Sequence, residues 1–72
     1  MPTRRTFNGE LLRQKRTASG YNQRALAQAL QVDYTTVSHW EIGRRSPKAL
    51  TLLQLAEVLN CQVGDLFEAV AE

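Results

Sequence analysis

The sequence predicts an all-α domain, a compact bundle of five short helices. Three observations carry that reading. Helix-capping and helix-breaking residues recur at short intervals, namely Asn8, Gly20, Asn22, Asp33, Gly43, Pro47 and Asn60. Leu52, Leu55, Ala56 and Leu59 fall at i, i+3, i+4 and i+7, the spacing of one helix face. No stretch alternates apolar and polar residues for long enough to specify a strand.

Each element follows from its own residues. Asn8 is a fitting N-cap for a first helix over Gly9 to Ala18, which Gly20 ends in a left-handed C′ position. Asn22 caps a second, Gln23 to Leu30, rich in Ala, Leu and Gln. Asp33 opens a third, Tyr34 to about Ile42, and Gly43 stops it. The β-branched run Thr35-Thr36-Val37 inside this capped segment is too short to make a strand. After the polar loop Arg44-Arg45-Ser46-Pro47 comes a fourth helix, Ala49 to about Leu59, ended by Asn60. Val63 to about Ala71 reads as a fifth. The apolar faces name the core as Leu12, Leu26, Ala27, Leu30, Val32, Val37, Trp40, Leu52, Leu55, Ala56, Leu59, Cys61 and Leu66. Loops this short between helices this short favour a compact bundle over a long coiled coil.

Composition narrows the class further. Seventy-two residues make one small domain. The single Cys61 cannot close an internal disulfide, which points to a reducing, cytoplasmic setting, and it reads as a small buried hydrophobe. Clustered Cys and His ligands are missing, so neither a metal nor another cofactor is expected. No apolar run is long enough to span a membrane, and the basic start Met1 to Arg5 is not followed by the apolar stretch of a secretory leader. The net charge of +2 conceals an asymmetry. Residues 1–48 hold all nine bases and three acids, a balance of +6, while residues 49–72 hold four acids and no base. Such a split suits a polyanion on one side and something else on the other.

The second and third helices, joined by about three residues, have the dimensions of a helix-turn-helix. Ala27 is small where the helices must cross, and Val37, ten positions on, can fill the crossing. Trp40 extends that buried stripe. The opposite stripe is Thr35, Ser38, His39 and Ile42, with Tyr34 at its start. It carries no formal charge, whereas a merely solvated helix face would more commonly carry Glu and Lys. Side chains of this kind suit base edges and thymine methyls. Catalysis is not expected. Ser38 and His39 are sequence neighbours on a helix and diverge, and no glycine-rich phosphate loop occurs.

The run from Gln23-Arg24-Ala25-Leu26-Ala27 through Val37-Ser38-His39-Trp40-Glu41 to Arg44-Arg45-Ser46-Pro47 resembles the Xre/Cro/C1 family of lambda-repressor-like DNA-binding domains. Leu12-Arg13 with Arg16 and Gly20 is similar to that family's first helix. Leu52 to Leu59 with Asp65-Leu66-Phe67 is similar to its fourth and fifth, so the resemblance covers about residues 9–68. It implies a five-helix lambda-repressor-like fold, with residues 8–71 as the DNA-binding domain and 1–7 as a flexible basic arm. It also implies that the third helix enters the major groove, with Tyr34, Thr35 and His39 as base readers and Ser38 beside them. Gln23 would touch a phosphate and brace the third helix. Arg16 and Glu41 would form a partly buried ion pair between the first helix and the end of the third. Two departures stand out. Gln31 occupies a turn position where the family usually has glycine, and a left-handed residue there would cost about 1 kcal/mol. Ile42 replaces the usual polar or basic residue.

Phosphate contacts are expected from Asn22, Gln23, Arg24, Thr36, Arg44, Arg45 and Lys48, which combine helix-start donors with the positive charge around the third helix. One recognition helix reads only about four or five base pairs, so pairing of two copies on a two-fold site is expected. Phe67, Val70 and Leu53 are the apolar residues expected to meet the second copy. Double-stranded DNA and a homodimer, at least on DNA, are therefore the expected partners, and the function implied is a transcriptional regulator acting as a repressor. The alternatives are a protein-docking module, such as a toxin-binding antitoxin using its acidic C-terminal half, and the excised DNA-binding domain of a longer repressor.

Overall fold

The computed structural model describes residues 3–71, and the elements run in the order β1 (Thr3–Phe7), α1 (Gly9–Ala18), α2 (Gln23–Leu30), α3 (Tyr34–Glu41), α4 (Ala49–Val58), a 3-10 turn (Val63–Leu66) and β2 (Phe67–Ala71). The four α-helices stand where the sequence puts them, with α3 and α4 each one residue shorter than expected. Asn8, Asn22 and Asp33 act as N-caps, each accepting a backbone N–H from the first turn. All four helices end on a left-handed residue: Gly20, Gln31, Gly43 and Asn60. In each case the next N–H reaches back over the last turn to a carbonyl: Tyr21 to Arg16, Val32 to Ala27, Arg44 to His39 and Cys61 to Ala56. Gln31 does adopt the left-handed conformation, at φ 58° and ψ 43°.

The fifth helix is not there. A 3-10 turn takes its first four residues, held by Asp65, whose carboxylate accepts the Gln62 N–H at 3.0 Å. The chain then runs extended as β2, antiparallel to β1, with Phe7 opposite Phe67 and Arg4 opposite Val70. The expected flexible arm over residues 1–7 is therefore a strand over Thr3–Phe7, while Met1 and Pro2 lie outside the described residues. The physical reason is pairing with a segment distant in sequence. A short helix here would be marginal in water, whereas pairing with β1 satisfies one edge of the backbone over Phe67–Ala71. The Phe7 and Phe67 rings meet edge to face, with centroids 6.1 Å apart, a cross-strand contact that fixes the register.

The core lies between the helices and the turn. Leu12, Leu26, Ala27, Leu30, Val37, Trp40, Leu55, Ala56, Leu59 and Leu66 are buried, and Phe7, Val32, Leu52, Cys61 and Phe67 pack against them half-buried. Burying one such leucine contributes about 2 kcal/mol. Gly9 governs how closely α1 approaches α3. A Cβ there would lie only 2.2 Å from the Trp40 carbonyl oxygen and 2.5 Å from that of Glu41. Only glycine lets the start of α1 sit against the end of the helix that carries the candidate site. No helix among the described residues is long and apolar enough to cross a membrane.

Candidate nucleic-acid interface

Helix α3 is locked from behind and open in front. Val37 and Trp40 are buried against α2 and the core. At its C-terminal end the Glu41 carboxylate, 4% exposed, accepts Arg16 Nε at 2.6 Å and Nη2 at 3.1 Å, and the Arg16 guanidinium is 10% exposed. Arg16 Nη1 donates to the Tyr21 carbonyl at 2.9 Å, and Gln23 Nε2 donates to Glu41 Oε1 at 3.1 Å. One carboxylate thus ties α1, the start of α2 and the end of α3 together. The expected Arg16–Glu41 pair is present, and the bracing half of the expectation for Gln23 is visible as a direct hydrogen bond.

The front of α3 presents Tyr34 (39% exposed) and Thr35 to solvent, with Ser38 and His39 half-exposed beside them. Thr35, Ser38 and His39 share one face through their i+3 and i+4 spacing, and Ile42 continues it, exposed. Arg44 and Arg45 follow at once, because both of their N–H groups bond the His39 carbonyl, at 2.9 and 3.3 Å. Thr36, Arg45, Ser46 and Lys48 come together on one shallow groove between α3 and the start of α4. On the other flank Arg24 lies over the Tyr34 ring, its central carbon 4.2 Å from the centroid. Asn22 uses its side-chain oxygen to cap Ala25 at 2.7 Å.

The charges sort by location. Arg13 pairs with Glu10 on α1, Arg16 with Glu41, and Arg5 donates to the Gly64 carbonyl at 3.2 Å. Among the described residues the side chains of Lys15, Arg24, Arg44, Arg45 and Lys48 form no hydrogen bond or ion pair; Lys15 stands on α1 near Cys61, and the other four flank α3. The two acids of this region do not oppose them. Glu41 is buried in its pair, and Asp33 accepts the Thr35 N–H at 3.4 Å as a cap. The face is thus positive at its rim and uncharged at its centre.

The residues expected to meet a second copy are not brought together. Phe67 faces Phe7 and the core, whereas Val70 lies on the opposite face of β2, since residues an odd number apart on a strand point oppositely. Leu53 is on α4, 56% exposed, near the exposed Leu50. The sequence reading missed Gly9 and the Arg24–Tyr34 stack. The stack had a signal. Residues 24 and 34 are ten apart across the turn, like the crossing pair Ala27 and Val37. Cys61 is half-buried, and burial together with the Asp65 carboxylate pushes its thiol pKa up, Lys15 opposing. No group of three His, Cys, Asp or Glu side chains suited to a metal occurs among the described residues.

A short second helix crossing a third whose polar face is open, with a basic loop behind it, defines a helix-turn-helix domain. The helix-turn-helix family model matches residues 12–66, and the chain belongs to that family, in its Xre/Cro/C1-like branch. The HTH-type transcriptional regulator DicA of Escherichia coli K12 is 38% identical over 61 residues, which cover 85% of this chain and 45% of that protein. This chain therefore spans about half the length of that relative. Among solved structures, the restriction-modification controller protein C.AhdI of Aeromonas hydrophila superposes with a TM-score of 0.76 at 36% identity, covering 82% of this chain and 89% of that one. The P22 c2 repressor, solved in complex with a synthetic operator, gives 0.78 at 30% identity, covering 85% and 92%. Apo-HppE gives 0.80 at 30%, covering 88% of this chain but 37% of its own.

Proposed function

We propose that this chain is a sequence-specific transcriptional regulator that binds double-stranded DNA, acting as a repressor with residues 8–71 as its DNA-binding unit. Helix α3 enters the major groove and sets Thr35, Ser38, His39 and the Tyr34 hydroxyl against base edges. Arg44, Arg45 and Lys48, with Thr36 and the amide of Gln23, meet phosphates on either side, and Asn22 contributes from the start of α2. The observation that carries the reading is the α3 face, open and uncharged and flanked by cations that no side chain among the described residues neutralises. The P22 c2 repressor and its operator support it by analogy. Two copies act together on a two-fold site, because one α3 spans too few base pairs for selectivity. Leu53 and its exposed neighbour Leu50 on α4 are the apolar residues offered to the second copy, Phe67 being taken up by its own core. The chain works without a cofactor, in the cytoplasm where its DNA is, and it is not an enzyme.

The test is a bind-and-sequence selection on a randomised duplex library at moderate salt. The expected result is a two-fold symmetric motif with half-sites about one helical turn apart. Uniform, salt-sensitive binding with no enriched motif would overturn it. The exposed Leu50 and Leu53, set in the acidic C-terminal half, would then favour the protein-docking reading.

A further inference from the structure

We propose that Arg24 reads a guanine, held in position for it by Tyr34. The proposal rests on the DNA-binding reading above and departs from the sequence expectation, which set Arg24 at a phosphate. Arg24 sits at the second position of α2, and Tyr34 is the first residue of α3. The guanidinium lies over the tyrosine ring, 4.2 Å from its centroid. Asp33, on the same shallow surface, caps Thr35, and among the described residues no carboxylate forms an ion pair with the Arg24 guanidinium. Among the described residues the guanidinium makes no hydrogen bond, which leaves its N–H donors available at the edge of the stack.

Two physical points favour a base over a phosphate. Neutralising a phosphate needs only a nearby positive charge, and a freely swinging Lys or Arg does that well. Reading guanine O6 and N7 needs two donors in a fixed plane and direction, and stacking on an aromatic face supplies both. The stack is also placed at the N-terminal end of α3, and the N-terminal residues of a recognition helix are those that contact base edges. Tyr34 thereby acts twice. Its ring is a positioning surface for Arg24, and its hydroxyl remains free to make a contact of its own.

The experiment repeats the duplex selection with wild type, Arg24→Lys, Arg24→Ala, Tyr34→Phe and Tyr34→Ala, each shown to be folded by circular dichroism. Binding to the selected site and to its single-base variants is then measured across a salt series. Wild type should select a guanine in each half-site whose replacement by adenine weakens binding by roughly 5- to 150-fold. Arg24→Lys, which keeps the charge and loses the fork, should lose preference at that position alone and keep the salt slope. Tyr34→Ala should lose the same guanine, and Tyr34→Phe should retain it, because the ring rather than the hydroxyl does the positioning. The proposal is overturned if Arg24→Lys keeps every wild-type preference. It is equally overturned if Arg24→Ala weakens all duplexes alike and lowers the salt slope by about 0.9, the signature of one phosphate contact. Loss of the guanine in Tyr34→Phe would overturn the positioning role. A folded wild type that selects no motif would instead overturn the regulator reading itself.

Discussion

Replacing Glu41 with alanine tests the frame on which the whole interface depends. The carboxylate is 4% exposed and accepts three hydrogen bonds, two from Arg16 and one from Gln23. Removing it leaves the Arg16 guanidinium, 10% exposed, facing an empty site with only the Tyr21 carbonyl at 2.9 Å as partner. Breaking a buried pair by deleting one member costs about 3–5 kcal/mol. The lower end applies here, because Arg16 keeps one hydrogen bond and some access to water. A domain of this length holds about 4–11 kcal/mol in total, so the loss is a large share of its stability. At about 4–8 °C per kcal/mol, a fall of about 3 kcal/mol lowers Tm by about 12–24 °C. Thermal unfolding followed by circular dichroism reads this directly. The double variant Arg16→Met with Glu41→Leu should recover most of the loss, since it removes both charges and fills the space. A Glu41→Ala variant melting within a degree or two of wild type would refute the claim that this pair holds α1, α2 and α3 together.

Other expectations follow from the same geometry. Gly9→Ala should lower stability by about 1–3 kcal/mol, because its Cβ would collide with the carbonyls of Trp40 and Glu41; an unchanged melting curve would mean that α1 and α3 can part without loss. Gln31→Gly relieves a left-handed glutamine, a gain of about 1 kcal/mol less about 0.5–1 kcal/mol of added chain entropy, and should raise stability by at most about 0.5 kcal/mol in chemical denaturation. His39→Ala should relax base preference at one position of the selected motif, whereas Arg45→Ala should weaken every duplex and reduce the salt slope by about 0.9; identical behaviour of the two variants would contradict the division into base and phosphate contacts. The raised pKa of Cys61 keeps its thiol neutral, so iodoacetamide should react more slowly at pH 8 with the folded chain than with the unfolded one, and Asp65→Asn should speed the reaction. By the same sign, whatever stability the neutral thiol contributes is present at neutral pH and is lost as pH rises through the folded pKa.

The helices were legible because their punctuation is chemical and local. Asn8, Asn22 and Asp33 can cap only by accepting a first-turn N–H, and Gly20 and Gly43 are favoured where the chain turns left-handed. The Arg16–Glu41 pair followed from the family resemblance, and a charge on each apolar stripe made it physically reasonable. The strands were not legible, because their cause is non-local. Phe67-Glu68-Ala69-Val70-Ala71 has no strong preference of its own, and what makes it a strand is Thr3–Phe7, sixty residues away in sequence and paired with it register by register. The same holds for Gly9. Nothing in its neighbours announces that two carbonyls of α3 lie against it. At the site, residue types on α3 pointed to base contacts, but the stacking of Arg24 on Tyr34 depends on how closely the two helices cross.

The division of charge between frame and face also explains how so small a domain can be both stable and strongly cationic at one surface. Burying one Arg–Glu pair contributes little net stability, yet it removes Glu41 from the rim of α3, where a free carboxylate would repel phosphates. Asp33 is drawn into a cap in the same way. The remaining acids of α4, the 3-10 turn and β2 (Glu57, Asp65 and Glu68) lie beyond the basic loop in sequence. With Arg44, Arg45 and Lys48 each meeting one phosphate, the salt slope should be about −2.7 per protomer, and twice that for two copies on one site. A fourth phosphate contact from Arg24 would add about −0.9 per protomer. The slope of Arg24→Ala and the base preference of Arg24→Lys therefore bear on the same question from opposite sides. An arginine placed over a tyrosine ring at the N-terminal end of α3 should show in the second measurement and not in the first.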